Sequence, residues 1–266
     1  MTVVFLRRLA LPLVLFLSAF AANADVLEDV LKSGTIRVGV ADFTPWTMKS
    51  KSGDLIGSEI DVARKLAEDM DVSVEFKMLD WPDLIPAVQN GEIDLISAGM
   101  SITPARALRV NFTRPVALAG IVLTTNSAMT KDIGSLTDLN SPDITIAVAK
   151  DTLSHSVAKM LFGKTKMTIV STPEEAGQEV VAGRAHALVS GRVEAQFLVL
   201  RHGDVVDIPL ADPLIGYSEA MAVRKGEQEM LNFLNSWIES RSADKWIETT
   251  RNYWFETMEW AAEVRK

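Results

Sequence analysis

Short β-rich runs alternate with amphipathic helical stretches along this chain, in two successive sets, and that order leaves few architectures other than parallel βαβ units. Thr35–Val40 reads as the first strand, Ile60–Met70 as the helix after it, and Val72–Phe76 as a second strand. Leu84–Gln89 reads as a short helix stopped at Asn90-Gly91, where glycine accepts the left-handed cap conformation. Ile93–Ile96 hardly alternates in polarity, which predicts a strand buried on both faces. A second set follows: strand Ile144–Val148, helix Ser154–Phe162, strand Thr168–Val170, helix Pro173–Ala182 and strand Ala187–Val189. The pattern breaks at Val116–Gly120 and again at Pro209–Tyr217, after which Ser218–Arg224 is expected to rejoin the first set as a strand. The remainder, Glu227–Lys266, reads as helical, with Trp237, Trp246, Trp254 and Trp260 as its large apolar contacts.

The N-terminus bears on compartment. Arg7 and Arg8 precede the apolar run Leu9–Phe20, and Ala22-Asn23-Ala24 supplies the small-x-small pattern of signal peptidase sites, so cleavage after Ala24 and export to the periplasm are expected. The run is too short for an ordinary membrane span, and no membrane insertion is expected of the mature chain. The 266 residues include no cysteine, which excludes disulfides, a lipid-modified cysteine and a thiolate metal site. The formal net charge of −8 becomes −10 once Arg7 and Arg8 are removed with the signal (−8 − 2), and a chain that acidic repels nucleic acid.

Within this acidic background the segment Ser97-Ala98-Gly99-Met100-Ser101-Ile102-Thr103-Pro104-Ala105-Arg106 stands out. It closes a buried strand with hydroxyls, at the carboxyl end where open α/β sheets place ligands, and then offers one arginine. A guanidinium fork matches a carboxylate bidentately. Gly99, Ser101 and Arg106 are therefore candidate ligand residues; the competing reading is a capped loop with a surface ion pair. His155, His186 and His202 are not spaced for a metal, Gly163-Lys164-Thr165 follows a helix where a phosphate loop would precede one, and no Gly-x-Ser-x-Gly elbow occurs. Neither a cofactor nor a metal is expected.

Taken together, several runs resemble the type II periplasmic solute-binding proteins of ABC importers, in their polar amino-acid group. They are Leu31–Val40, Pro45-Trp46, Gly57–Ala63, Trp81 with Leu84–Ala87, Gly91–Asp94, Ala98–Arg106, Gly183-Arg184-Ala185 and Ala222–Gly226. The resemblance implies an α/β fold of two Rossmann-like lobes joined by two crossovers, with the ligand cleft between them. It implies a signal peptide at 1–24, a first lobe at 25–116, a second at 117–214, and a return to the first at 215–266 with C-terminal helices. It further implies an amino acid or related small carboxylate as ligand, an inner-membrane ABC permease as partner, a monomeric state, and closure about Val116–Gly120 and Leu210–Gly216. By the same resemblance Gly99, Ser101 and Arg106 hold the ligand carboxylate and Phe43 packs on the ligand. Asp42, Trp81, Asp151 and Thr152 join the candidate ligand-binding set, although Trp46 and Trp81 are assigned more to packing than to the ligand.

Two departures bear on the ligand. Where the resemblance leads one to expect Gly-Thr at the start of the second-lobe helix, the chain has Asp151-Thr152-Leu153. Asp151 would repel a second anion, and the preferred reading is that it caps the helix beginning near Ser154. Where the family places an aspartate on the ligand ammonium stands Gly191. Either the ligand lacks a free α-amine, the preferred reading, or Asp151 or Glu194 supplies the charge. An enzyme alternative also exists, because periplasmic cyclohexadienyl dehydratases share the fold and a run like Asp42-Phe43-Thr44-Pro45-Trp46. Ser154 stands at the place of their general acid, which argues for a protein that binds without catalysing.

Overall fold

The computed structural model describes residues 25–257 and 259–264, so the expected signal segment lies outside the described residues. Two sheets organise the chain. The first has the order 73–78, 35–40, 95–96, 222–223, 111–112; its first three strands run parallel and Ala222–Val223 pairs antiparallel with its neighbours. Ile36, Val38 and Val40, which share one face of their strand, are fully buried under the helix Ser58–Asp69 and the long helix Gln228–Ala243. Asp94 sits between strands with only 6% exposure because both its oxygens bind the Arg37 guanidinium.

The second sheet has the order 206–207, 117–126, 187–191, 145–149, 166–170. Its helices start on side-chain caps: Thr152 accepts from the His155 amide, and Thr172 forms a capping box with Glu175. The helix Arg192–His202 has no counterpart among the elements expected from the sequence; its apolar residues, Val193, Ala195 and Phe197–Leu200, are spread around the helix instead of gathered on one face, so no clear stripe marks it.

Two antiparallel strands join the sheets. Ala117–Asn126 leaves the first sheet, pairs over its first half with Ile215–Glu219, and over its second half with Ala187–Gly191. The return strand is stitched back to the first sheet where the Ile102 amide donates to the Ser218 carbonyl and the Ala220 amide to the Met100 carbonyl. The second crossover thus lies at Ile215–Glu219 rather than Leu210–Gly216, and the expected strand Ser218–Arg224 divides into the end of that crossover and the short strand Ala222–Val223. Backbone pairing decides this boundary: Gly216 lies opposite Gly120, already inside the ladder.

The C-terminal segment is helical in pieces, Gln228–Ala243, Trp246–Asn252, a π-helical turn at Tyr253–Thr257 and a 3-10 turn at Glu259–Glu263. It reaches across both sheets' layers. Trp254 and Trp260 are buried with Met48 of the first lobe and Phe197 of the helix Arg192–His202 of the second. Trp260 meets Phe197 edge to face at 5.5 Å, and the Trp254 indole donates to Asp61 at 2.7 Å.

Candidate functional site

The loops after the parallel strands of both sheets face one another across a cavity of about 360 Å³. From the first sheet come Ala41–Phe43, Met78–Pro82, Gly99 and Ser101; from the second, Ala149–Ser154, Ser171–Pro173 and Leu188–Gly191, followed by Glu194. Ile121 and Tyr217 reach in from the crossovers. This is where parallel α/β sheets present ligands, since the carboxyl ends of strands converge there with helix starts.

Arg106 follows Thr103, whose side chain caps the short helix Pro104–Ala107 and sets the arginine's direction. Its Nη1 donates to the Ser101 hydroxyl at 2.7 Å and carbonyl at 3.0 Å, and its Nη2 to the Asp151 carbonyl across the cleft at 3.3 Å. The guanidinium lies 5.5 Å from the Trp81 ring centre. Burial pulls its pKa below the ordinary arginine value, with Tyr217 opposing weakly. No carboxylate pairs with Arg106 among the described residues, so an incoming carboxylate would compensate a partly desolvated charge.

Gly99 adopts φ +62°, and a Cβ there would stand 2.4 Å from the Trp46 indole nitrogen, so the close approach of backbone to ring needs glycine. Trp46 is itself buried and stacks flat beneath Phe43 at 4.2 Å. Phe43 lines the cleft, and Trp81 meets it edge-on at 6.0 Å. Trp81 does both: it packs, half-buried, against an apolar cluster of the first lobe and lines the cavity, where its Nε1 donates to the Asp151 carbonyl at 3.3 Å, beside the Arg106 bond to the same oxygen. Packing was the preferred role from sequence because a tryptophan seeks burial wherever it is. The interlobe contact that orients this one comes from a residue 70 positions away.

Asp151 does not cap the helix. It is a left-handed residue, φ +59°, with an exposed side chain 3.9 Å from Lys150 Nζ, and the cap is Thr152, one residue on. The extended backbone of Thr152 aims its hydroxyl at the His155 amide, whereas Asp151 turns its carbonyl into the cleft. Ser154 is buried and lines the cavity. Asp42 lines it too; partial burial, then the charge of Glu174, raises its carboxyl above the usual range.

Beneath these residues lies a group of acids that the sequence did not flag. Glu219, 0% exposed at the end of the return crossover, accepts from Trp46 Nε1 at 3.3 Å, Tyr217 OH at 3.4 Å and Arg251 Nη1 at 3.5 Å. Burial, opposed by Arg251 and reinforced by Glu59, pushes it up to about 7. Glu59 is buried against the Ser97 hydroxyl and is raised by the same desolvation. Tyr217 OH is raised by burial and by Glu219 and Glu194. The available signal was the alternation in Ile215-Gly216-Tyr217-Ser218-Glu219, which points Tyr217 and Glu219 to one face of a strand.

Two α/β lobes on paired crossover strands, closing one cleft lined from both sides, define the class: a two-lobed solute-binding fold. Residues 36–257 match the family of bacterial extracellular solute-binding proteins, family 3, and the chain belongs to that family. It is similar to an L-arginine-binding protein of Pseudomonas aeruginosa, 26% identical over 86% of this chain and 90% of the relative. It is also similar to a cyclohexadienyl dehydratase of the same organism, 19% identical over 90% of this chain and 89% of the relative. Among solved structures, an ancestral amino-acid-binding protein described as a precursor of cyclohexadienyl dehydratase superposes with a TM-score of 0.80 at 35% identity, covering 88% of this chain and all of that one.

Proposed function

We propose that the protein is the periplasmic substrate-binding component of an ABC importer and captures an amino acid or related small carboxylate by lobe closure. The observation that carries the reading is Arg106, bonded to Ser101 in one lobe and to the Asp151 carbonyl in the other, both of which line the interlobe cavity. A carboxylate held there meets both lobes at once, and only contacts of that kind let a ligand favour the closed arrangement. Gly99, Ser101 and Arg106 would hold the carboxylate, with Phe43 and Trp81 as walls and the Asp151-Thr152 turn as the closing edge. The first lobe would comprise 25–116 and 215–266, and the second 117–214, with the mature chain beginning at Asp25 as a monomer that docks on an inner-membrane permease.

Binding without catalysis is part of the proposal. The relative that is a dehydratase keeps the alternative in view, but Ser154 cannot donate a proton as a tuned carboxylic acid can. The test is a melting-temperature screen of the mature protein against amino acids, their derivatives and small carboxylates, run alongside prephenate and arogenate. At a hundredfold excess over Kd, a ligand adds about 2.7 kcal/mol of stability, which such a screen reads readily. A carboxylate ligand with both dehydratase substrates left unchanged is expected. Silence across the panel, or turnover abolished by mutating a cleft carboxylate, would refute the reading.

A further inference from the structure

The described residues of the C-terminal segment touch both lobes without lining the cleft. The helix Trp246–Asn252 enters the first lobe's core through Ile247, and the chain then turns through Tyr253–Thr257 and Glu259–Glu263. Its anchors on the first lobe are several. The Trp254 indole donates to Asp61 at 2.7 Å, Met48 packs in the same apolar cluster, and Val264 forms an antiparallel bridge with Ser50. The Trp260 indole donates to the Trp254 carbonyl at 2.8 Å, which holds its ring to that lobe. So held, the ring meets Phe197 of the second lobe, and Val193, one turn earlier on the same helix, packs against the cluster. Trp260 is 4% exposed and Phe197 5%, so each ring is covered by a contact that crosses between lobes.

The same segment stands behind both walls of the site. Phe255 meets Trp46 edge-on at 5.0 Å, the ring on which Phe43 stacks. Arg251, 4.5 Å from the Phe255 ring centre, donates to Glu219 at the end of the return crossover. On the other side Phe197 lines a side chamber of about 130 Å³ that it shares with Asp42 and Phe43. In this structure the lobes also touch across the cleft, where Trp81 and Arg106 both donate to the Asp151 carbonyl. The contact of Trp260 with Phe197 therefore belongs to the arrangement in which the lobes are together.

We infer that the C-terminal segment is an interlobe latch: Trp260, seated on Phe197, holds the lobes together before any solute arrives and so sets the balance between open and closed cleft. The inference rests on the lobe closure proposed above and on no particular ligand. Rotation of the second lobe about Ala117–Asn126 and Ile215–Glu219 carries Phe197 with it, while the Trp260 indole, bonded to Trp254, stays with the first lobe. Two buried aromatic faces then part and meet water, which disfavours the open arrangement. A packed contact of this kind is made or broken, with little between. By enlarging the closed fraction in the unliganded protein, the latch lowers the conformational cost of capture. Trp260 is thus a positioning residue: it acts on the ligand site through the relative placement of the lobes.

The experiment measures lobe separation in the absence of solute. The chain has no cysteine, so two introduced ones carry spin labels at unique positions. Asp83→Cys and Lys159→Cys are at exposed positions near the facing loops of Trp81 and Asp151, one on each lobe. Pulsed dipolar spectroscopy then gives the distance distribution of the mature protein, freed of solute by dialysis from denaturant and refolded. Trp260→Ala should raise the ratio of long to short distances about threefold or more, and Phe197→Leu should act in the same direction from the other lobe. Trp260→Phe keeps a ring and should stay nearer the parent. Val30→Ala opens a cavity in the first lobe's core, which costs stability as well, but it should leave the distances alone. Circular dichroism shows which variants are folded; if Trp260→Ala is not, Phe197→Leu carries the test. Parent-like distances in the folded latch variants, or an equal shift in Val30→Ala, would overturn the latch. Because no solute is present, that failure is separate from failure of the transport reading, which the melting screen decides.

Discussion

Replacing Arg106 by alanine removes the contact on which the proposed closure rests. The guanidinium makes two bonds to Ser101 and one across the cleft to the Asp151 carbonyl, so the substitution deletes the carboxylate's charge partner and an interlobe tie together. Losing one partner of a buried charge-assisted pair costs on the order of 2–5 kcal/mol, about 30-fold to several thousand-fold in affinity. A micromolar complex has only about 8 kcal/mol in total, so binding should become hard to detect. Arg106→Lys keeps the charge but lacks a planar fork able to reach Ser101 and Asp151 simultaneously, and should recover little. The residue lies on a four-residue helix outside the apolar clusters, so folding should survive. Calorimetric titration with an amino acid taken from the melting screen, beside circular dichroism of each variant, measures both quantities. A folded alanine variant that binds within threefold of the parent would refute the assignment and make Arg106 an ordinary loop arginine.

Three further expectations follow from the same geometry. Glu219 titrates near 7 when folded against 4.5 when unfolded, so the folded state holds its proton longer; stability is complete below about pH 4.5, falls as pH rises to about 7, and is lower above by about 3 kcal/mol. Denaturant midpoints at pH 5 and pH 8 should differ less in Glu219→Gln than in the parent, and an identical pH dependence in the two would show that Glu219 is not the cause. Trp260→Ala removes a buried ring wedged between Phe197 and Trp254 and should cost roughly 3–5 kcal/mol in urea unfolding; an unchanged midpoint would mean the C-terminal segment is not tied to the second lobe. Intact-mass analysis of periplasmic material should show Asp25 at the N-terminus, where its carboxylate caps the helix Val26–Ser33 and accepts the Glu229 and Met230 amides, and finding only the unprocessed chain would contradict export.

The elements legible in the sequence are those whose signals are local. The strand at 145–149 is an apolar run because both faces of a parallel strand are covered, Thr35–Val40 shows itself by the alternate Ile36, Val38 and Val40, and Gly91 marks a helix end because its φ of +72° suits few other residues. The pairing of Arg106 with Ser101 was visible for the same reason, since ten consecutive residues carry it, whereas the bond to the Asp151 carbonyl was not. Tertiary structure decided the rest. Nothing local marks Glu219; the return crossover places it beneath Trp46, 173 residues away, and beside Arg251. Trp81 packs on apolar residues as its type suggests, but that its indole also meets a carbonyl on the other lobe is not written locally. The tryptophans of the C-terminal segment announced burial, but not that Trp260 would pack on Phe197, 63 positions earlier and on the opposite lobe. Glycine at 191 suggested an absent charge, and only the folding back of Glu194 across it put a carboxylate in that space. The sequence thus determined most of the strands and helices, because periodicity and capping act over a few residues. Which side chains share the cleft depends on how two sheets are joined and oriented, and that is set by contacts between segments distant in the chain.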